Sequence, residues 1–419
     1  MTTPDTPRPN AAAAPTMRPS TIVLLLTLLL GIQPVTTDLY LPALPTLARA
    51  LDSGPGTAQL TLSALIICFG LAQLPWGPLS DRFGRRPALL AGLALYGVAA
   101  VGAALAPSIE WLVAWRALQG VGMASAVTCG RSIIRDLYEP REGARVMSRA
   151  LGGLGLLAMA SPLLGGLLVQ AVHWRATLAA VASFGAVALA LVALRFAETL
   201  PRPDPRATEL RRIAANWRRI LRHPTFVAWG ALLCASWGGL FAMLASSSFV
   251  FIDVLGASRQ ACGAMLASNS AAYIAGTLLC RRLLAHGNAS RAAAIGAVFS
   301  LLGGTLLALV SLAGAASVAT VLPGLWLYAI GHGVCQPCGQ AGVTSPFPDS
   351  AGTAASLSGF AMMATAFGVG LGLAAAMNGT VFPLTLTMGA FGVAVAAVAW
   401  TLVRVHGDRR VPAPQPQIA

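Results

Sequence analysis

The chain has 419 residues, of which 56% are hydrophobic and only 10% charged, with a formal net charge of +14 and a mean hydropathy of +0.72. About a quarter of a soluble domain's residues are charged, so this composition excludes a soluble enzyme and a soluble nucleic-acid-binding protein and describes an all-α polytopic membrane protein. The 28 basic side chains are all arginines, and their placement carries the topology.

Residues 1–19 are rich in Pro, Ala and Thr and lack a basic segment leading into a short apolar core, so they read as a disordered tail rather than a cleaved leader. Beyond them, a bilayer needs roughly 20 apolar residues per helix, and about twelve stretches fit. They run near 20–45, 57–77, 88–106, 109–132, 146–170, 175–195, 225–247, 260–281, 292–313, 317–338, 352–376 and 380–403. The longest polar interval, 196–224, divides them six and six, which predicts an N-terminal bundle over 20–195, a basic linker and a C-terminal bundle over 225–403, with a tail at 404–419. Arg49, Arg175 and Arg259 fall on one side and Arg116 lies within a span, whereas the other arginines share the opposite side. That asymmetry places both termini in the cytoplasm.

The first span ends Thr36-Thr37-Asp38-Leu39-Tyr40-Leu41-Pro42-Ala43-Leu44-Pro45. A charged residue at a helix centre costs about 2.5 to 3.5 kcal/mol on insertion scales, so Asp38 is a candidate to take up and release a proton. The alternative is an interfacial Asp at a helix end, because about 1.5 Å per residue from Ser20 carries Asp38 into the outer half. Tyr40 follows it, one of several aromatics (with Trp237, Phe241 and Tyr273) able to wall an apolar pocket.

Between the second and third spans, residues 77–87 read Gly-Pro-Leu-Ser-Asp-Arg-Phe-Gly-Arg-Arg-Pro. A short turn rich in Gly and Arg with one Asp joins adjacent helices tightly and is held on the cytoplasmic side by its arginines. Gly77, Asp81, Arg82, Gly84, Arg85 and Arg86 are its candidate working parts. The fourth span carries Arg116 beside Gln119-Gly120 and ends in Arg135-Asp136-Leu137. A guanidinium keeps its charge, so Arg116 needs a polar cavity, a carboxylate or backbone carbonyls, or else snorkels outward. The fifth span holds Ser161-Pro162-Leu163-Leu164-Gly165-Gly166, where a kink and small residues allow close helix approach.

Within the linker, Leu210–Leu221 has the pattern of a short amphipathic helix, on anionic lipid or simply solvated. After the eighth span, Arg281 to Arg291 echoes the charged turn after the second in position and sign. In the tenth, His332, Cys335 and Cys338 recur every third residue and are weighed as soft-metal ligands, but a site needs ligands from several helices. The seven cysteines fall mostly inside spans, so no disulfide framework is expected.

Together, Asp38 to Pro45, the segment at 77–87, Arg116 with Gln119-Gly120, Arg135-Asp136-Leu137, Pro162 to Gly166 and Trp174-Arg175 resemble the drug/proton antiporter branch of the major facilitator superfamily. More narrowly they are similar to its bicyclomycin and chloramphenicol resistance group. Ser248-Phe249-Val250 and Pro346-Phe347-Pro348 with Ala351 to Ala354 add to the match. The resemblance implies two pseudo-symmetric six-helix bundles in a bacterial inner membrane. It also implies a monomer that exports small amphipathic antimicrobials in exchange for protons by alternating access, without cofactor, metal or nucleic acid. Asp38, Arg116 and Tyr40 would serve coupling and substrate binding. The segment at 77–86 with Asp136 would form a cytoplasmic gate, and the Pro162 segment an antiporter motif, which departs from the usual Gly-Pro through Ser161. The rival readings are a metabolite exporter or a soft-metal importer of the same fold.

Overall fold

The computed structural model describes residues 17–138, 140–200, 202–347 and 350–407. Most of the tail expected at 1–19, most of the one at 404–419, and Pro348 lie outside the described residues. Those described form helices and connecting turns without a strand. In lipid this is the economical solution, because each helix satisfies its own backbone polar groups.

The first half contains α1 (Pro19–Asp38), α2 (Leu44–Ala50), α3 (Pro55–Phe83), α4 (Arg85–Ala104), α5 (Ile109–Leu137), α6 (Pro140–Ala171) and α7 (Trp174–Arg195). The linker carries α8 (Leu210–Leu221). The second half contains α9 (Pro224–Phe249), α10 (Arg259–His286), α11 (Ala289–Leu312), α12 (Val318–Thr344), α13 (Ala351–Ala376) and α14 (Phe382–Val398), followed by α15 (Arg404–His406). Among the described residues, ten helices are long and apolar enough to cross a membrane. Helices α5 and α10 are as long, at 29 and 28 residues, but polar residues such as Arg116, Arg131, Asn269 and Arg281 dilute their hydropathy.

Helices α3, α4, α5 and α7 pack together with α1 and α6, and α9 to α14 pack among themselves. The two groups meet along two seams, α3 against α13 and α6 against α10. Both are close backbone approaches: Gln59 Nε2 donates to the Gly370 carbonyl at 3.3 Å across the first, and Ser270 Oγ to the Ala158 carbonyl at 3.4 Å across the second. Pro162 has no N–H to offer Ala158 four residues back, so Ser270 supplies a donor to that carbonyl.

Two local features differ from the sequence expectation. The segment at 77–87 is almost entirely helical, with the turn reduced to Gly84 between α3 and α4. Gly84 adopts φ +103°, a conformation L side chains resist, which lets one residue reverse the chain where a loop was expected. The first span, expected to end near 45, breaks after Asp38, passes through a 3₁₀ turn at Leu41–Ala43 and resumes as α2 to Ala50. Pro42 and Pro45, which cannot donate to the helix ladder, account for the interruption. Because the crossing extends to Ala50, Asp38 lies about 18 Å from its C-terminal end at 1.5 Å per residue.

Candidate functional site

At the turn between α3 and α4, the guanidinium of Arg85 is 4% exposed as a residue and is held by two carboxylates. Its Nε donates to Asp136 Oδ2 at 2.8 Å, and its Nη1 donates to Asp81 and, at 2.7 Å, to Ser80 Oγ. Asp136 closes α5, so this pair ties α5 to the α3–α4 turn. The other two arginines of the segment go elsewhere: Arg82 Nη1 donates to Thr208 Oγ1 at 2.6 Å and Arg86 Nη2 to the Ala193 carbonyl at 3.0 Å. Gly77 lies within α3 on a cavity wall.

Glu198, which the sequence reading did not single out, completes this corner. Its carboxylate accepts from the backbone N–H of Arg85 at 2.9 Å and of Arg86 at 3.0 Å, and from Thr199 and Leu200 at 2.9 and 3.0 Å. An anion at a helix N-terminus satisfies free donors and complements the helix dipole, so Glu198 fastens the start of the linker to α4. A side chain at Gly84 would run into the same carboxylate. The available signal was an acid just after a span, at the start of a largely basic interval.

Deeper in the first bundle, Arg116 is fully buried, and no ion pair joins it to a carboxylate among the described residues. Instead Nη1 donates to Gln119 Oε1 at 2.8 Å and Nη2 to the Thr36 carbonyl at 3.1 Å, next to the helix break, where the last-turn carbonyls of α1 are exposed to new partners. Its Cζ lies 4.5 Å from the centroid of the Tyr40 ring, a cation–π contact, and Tyr40 shares a hydrogen bond with Thr61 Oγ1 at 2.8 Å. Asp38 is half-buried and accepts from Thr37 Oγ1 at 2.7 Å. Thus Tyr40 and Arg116 meet at the break in α1, which Asp38 precedes, and Arg116 rests on neutral acceptors and an aromatic face. Thr36 Oγ1 and the Tyr96 hydroxyl, 2.6 Å apart, form the adjoining shell.

The α6 motif lies on the seam with α10. Ser161 Oγ bonds back to the Leu157 carbonyl at 2.6 Å. A Cβ on Gly165 would collide with the Leu39 carbonyl at the α1 break, and one on Gly166 would come within 2.8 Å of the Arg259 carbonyl. These two positions must be small for α6 to touch both backbones. Nearby, at the end remote from the linker, Arg259 Nε donates to Thr46 Oγ1 at 2.9 Å and Arg49 pairs with Asp253 at 3.3 Å, so the halves are joined there.

At the linker end they part around a cavity of about 1110 Å³. Its walls include Gln33 of α1, Gln73 of α3, Thr128 and Arg131 of α5, and Gln336 and Gln340 of α12. Helix α8 forms part of its rim: Ile213 and Trp217 face the cavity, Ile220 is buried, and Arg219 Nη2 donates to Ser350 Oγ at 3.0 Å. Of the apolar residues of this amphipathic helix, Ile213, Trp217 and Ile220 thus turn to the cavity and the protein, whereas Leu210 and Leu221 are exposed. Asp38, Tyr40 and Arg116 lie outside the cavity lining.

The residues of α12 considered as metal ligands diverge. His332 Nδ1 pairs with Ser236 Oγ at 2.8 Å and its ring lies between Trp237 and Tyr273. Cys335 reaches the Ala293 carbonyl at 3.7 Å, and Cys338 approaches Cys280 at 3.6 Å. Three side chains bound to three different neighbours do not converge on one ion.

Residues 26–373 match the family described as the Major Facilitator Superfamily. A bicyclomycin resistance protein homolog of Haemophilus influenzae is 29% identical over 380 residues, 88% of this chain and 94% of that protein. A chloramphenicol resistance protein of Pseudomonas aeruginosa is 30% identical over 321 residues, 75% of this chain and 74% of the relative. Multidrug resistance protein D of Escherichia coli is 29% identical over 338 residues, covering 81% and 84%. Among solved structures, a bacterial homolog of the human lysosomal transporter Spinster, inward-facing and unoccupied, aligns with a TM-score of 0.72 at 16% identity over 94% of this chain and 99% of its own. This last likeness concerns the fold.

Proposed function

Because the chain belongs to the Major Facilitator Superfamily, and is therefore a multi-pass membrane transporter of small molecules rather than an enzyme, we propose that it exports small amphipathic antimicrobials in exchange for protons. The observation that carries this reading is the asymmetry between the two ends of the helix pack: a large cavity at the linker end and cross-half contacts at the other. Such an arrangement is one of the two states that alternating access requires, the halves rocking about a site near the midplane. The relatives named for resistance to bicyclomycin and chloramphenicol supply the substrate class.

In this mechanism the drug enters the cavity from the cytoplasm, the side assigned to both termini, of a monomer in the bacterial inner membrane. Asp38, in the last turn of α1 before the break, binds the incoming proton in the outward-facing state and releases it inward. Arg116 and Tyr40 connect that event to the fourth crossing, because a shift of the α1 break moves the Thr36 carbonyl on which Arg116 rests. Arg85, between Asp81 and Asp136, holds the α3–α4 corner and exchanges partners as the halves rock. The α6 glycines keep the seam close enough for that motion to reach α10.

The test uses everted membrane vesicles, energised and then supplied with chloramphenicol, with intravesicular pH followed for wild type and Asp38→Asn. Drug-triggered proton efflux that is present in wild type and lost in the variant is the expected result. If no compound in a broad panel moves protons in verified wild-type protein, drug/proton exchange is rejected.

A further inference from the structure

The cavity has a sign. Among the described residues, five arginines line it, against two aspartates. The aspartates are already engaged: Asp81 by Arg85 and Asp204 by Arg212 at 3.1 Å. Arg131, Arg135, Arg202 and Arg219 line the same space with no carboxylate partner among the described residues. The lining also carries four amides, Gln33, Gln73, Gln336 and Gln340, which donate and accept without favouring either charge.

Arginines at a cytoplasmic mouth are expected from topology alone, and that suffices for those on the linker. It does not account for Arg131. This residue lies six positions, about 9 Å, before the end of α5 and one helical turn from Arg135, with which it shares the cavity wall. No hydrogen bond or ion pair holds it among the described residues. Arg135 donates to Ser132 Oγ at 3.2 Å, and its guanidinium faces Gly352 in the first turn of α13, where the helix itself is positive. A guanidinium set against a positive helix end is unfavourable until an anion lies between or beside them. Leu30, Leu74 and Leu154 supply apolar wall alongside.

We propose that the cytoplasmic cavity recognises amphipathic anions, with a carboxylate, sulfonate or phosphonate group against Arg131 and Arg135 and an apolar body against α1, α3 and α6, and discriminates against lipophilic cations. This inference rests on the export reading for its physiological meaning, and it names the substrate class of that same cavity. An unpaired guanidinium fork matches such oxyanions in two-point geometry, whereas a cation entering the cavity meets arginines without a carboxylate partner and no free carboxylate among the described residues.

The experiment is equilibrium binding to purified full-length protein in nanodiscs of phosphatidylcholine, a lipid without net charge, so that the bilayer does not concentrate either probe. Fluorescein as the anion and rhodamine 6G as the cation share one ring system, and each is titrated by fluorescence polarisation. Fluorescein is expected to bind at least tenfold more tightly than rhodamine 6G, with an affinity that falls as salt rises. Arg131→Gln and Arg135→Gln should each weaken fluorescein severalfold while leaving rhodamine 6G unchanged or improved. Equal or tighter binding of the cation, binding of neither dye, or fluorescein affinity unaltered in monodisperse Arg131→Gln/Arg135→Gln protein overturns the proposal. The readout needs no transport, so proton-coupled export can fail in vesicles while this selectivity stands, and the reverse.

Discussion

Two buried arginines in the first bundle are treated in opposite ways. Arg85 is clasped by Asp81 and Asp136, so its charge is neutralised locally and the pairs tie α3, α4 and α5 together at one corner. Arg116, fully buried in α5, has a backbone carbonyl, an amide oxygen and the face of Tyr40. Its Nε has no hydrogen-bond partner among the described residues. A charge left uncompensated in a low-dielectric interior costs free energy, and such a residue inside a membrane is a functional candidate by default. The first arginine has its charge matched by carboxylates where it sits, whereas the second leaves electrostatic attraction available near the α1 break.

That contrast can be broken by substitution. The largest effect expected is on function: Arg116→Gln reduces transport to background in a vesicle flux assay. It changes folding stability by less than about 1 kcal/mol, since no carboxylate is left bare. Arg85→Ala should do the reverse in kind, destabilising the protein by about 3 kcal/mol because it abandons Asp136, a mostly buried carboxylate, beside Asp81. Thermal unfolding in detergent, followed by intrinsic fluorescence, separates the two variants; an Arg116→Gln protein less stable than Arg85→Ala would reverse the assignment.

Smaller effects sharpen the same corner. Gly84→Ala meets both a positive φ and the Glu198 carboxylate, and should cost about 2 kcal/mol, read as a lower midpoint in the same melt. Glu198→Gln keeps the shape but removes the charge at the start of α4, and a loss of about 0.5 to 1 kcal/mol is expected, shrinking as salt rises. If the Glu198 variant melts below the Gly84 variant, the linker attachment rather than the turn geometry dominates this corner.

Much of the corner could be read from the sequence, because a run of Gly, Asp and Arg between apolar stretches leaves few places to go. Its main misreading, a loop where α3 continues to Phe83, came from taking the whole Gly- and Arg-rich run as the turn; one Gly with positive φ proved enough to reverse the chain. Glu198 was overlooked because its importance lies in the α4 N-terminus, more than 100 residues earlier in the chain. Asp38 and Arg116 stood out as ionisable residues in apolar spans, but nothing in their spacing says that the Thr36 carbonyl and Tyr40, rather than a carboxylate, would receive the guanidinium.

The sequence by itself determined the class of molecule, the long helical crossings, the basic divider between two sets of six, and the residues too costly to bury without purpose. Those are consequences of local composition against a bilayer of fixed thickness. Only the tertiary structure decided which end of the helix pack is parted, which side chains line the opening, and which arginines in it lack a carboxylate partner among the described residues. Such facts depend on helix rotation and on contacts between residues remote in sequence. Hydrophobic periodicity was a poor guide to rotation here, because lipid-facing and partner-facing sides are both apolar.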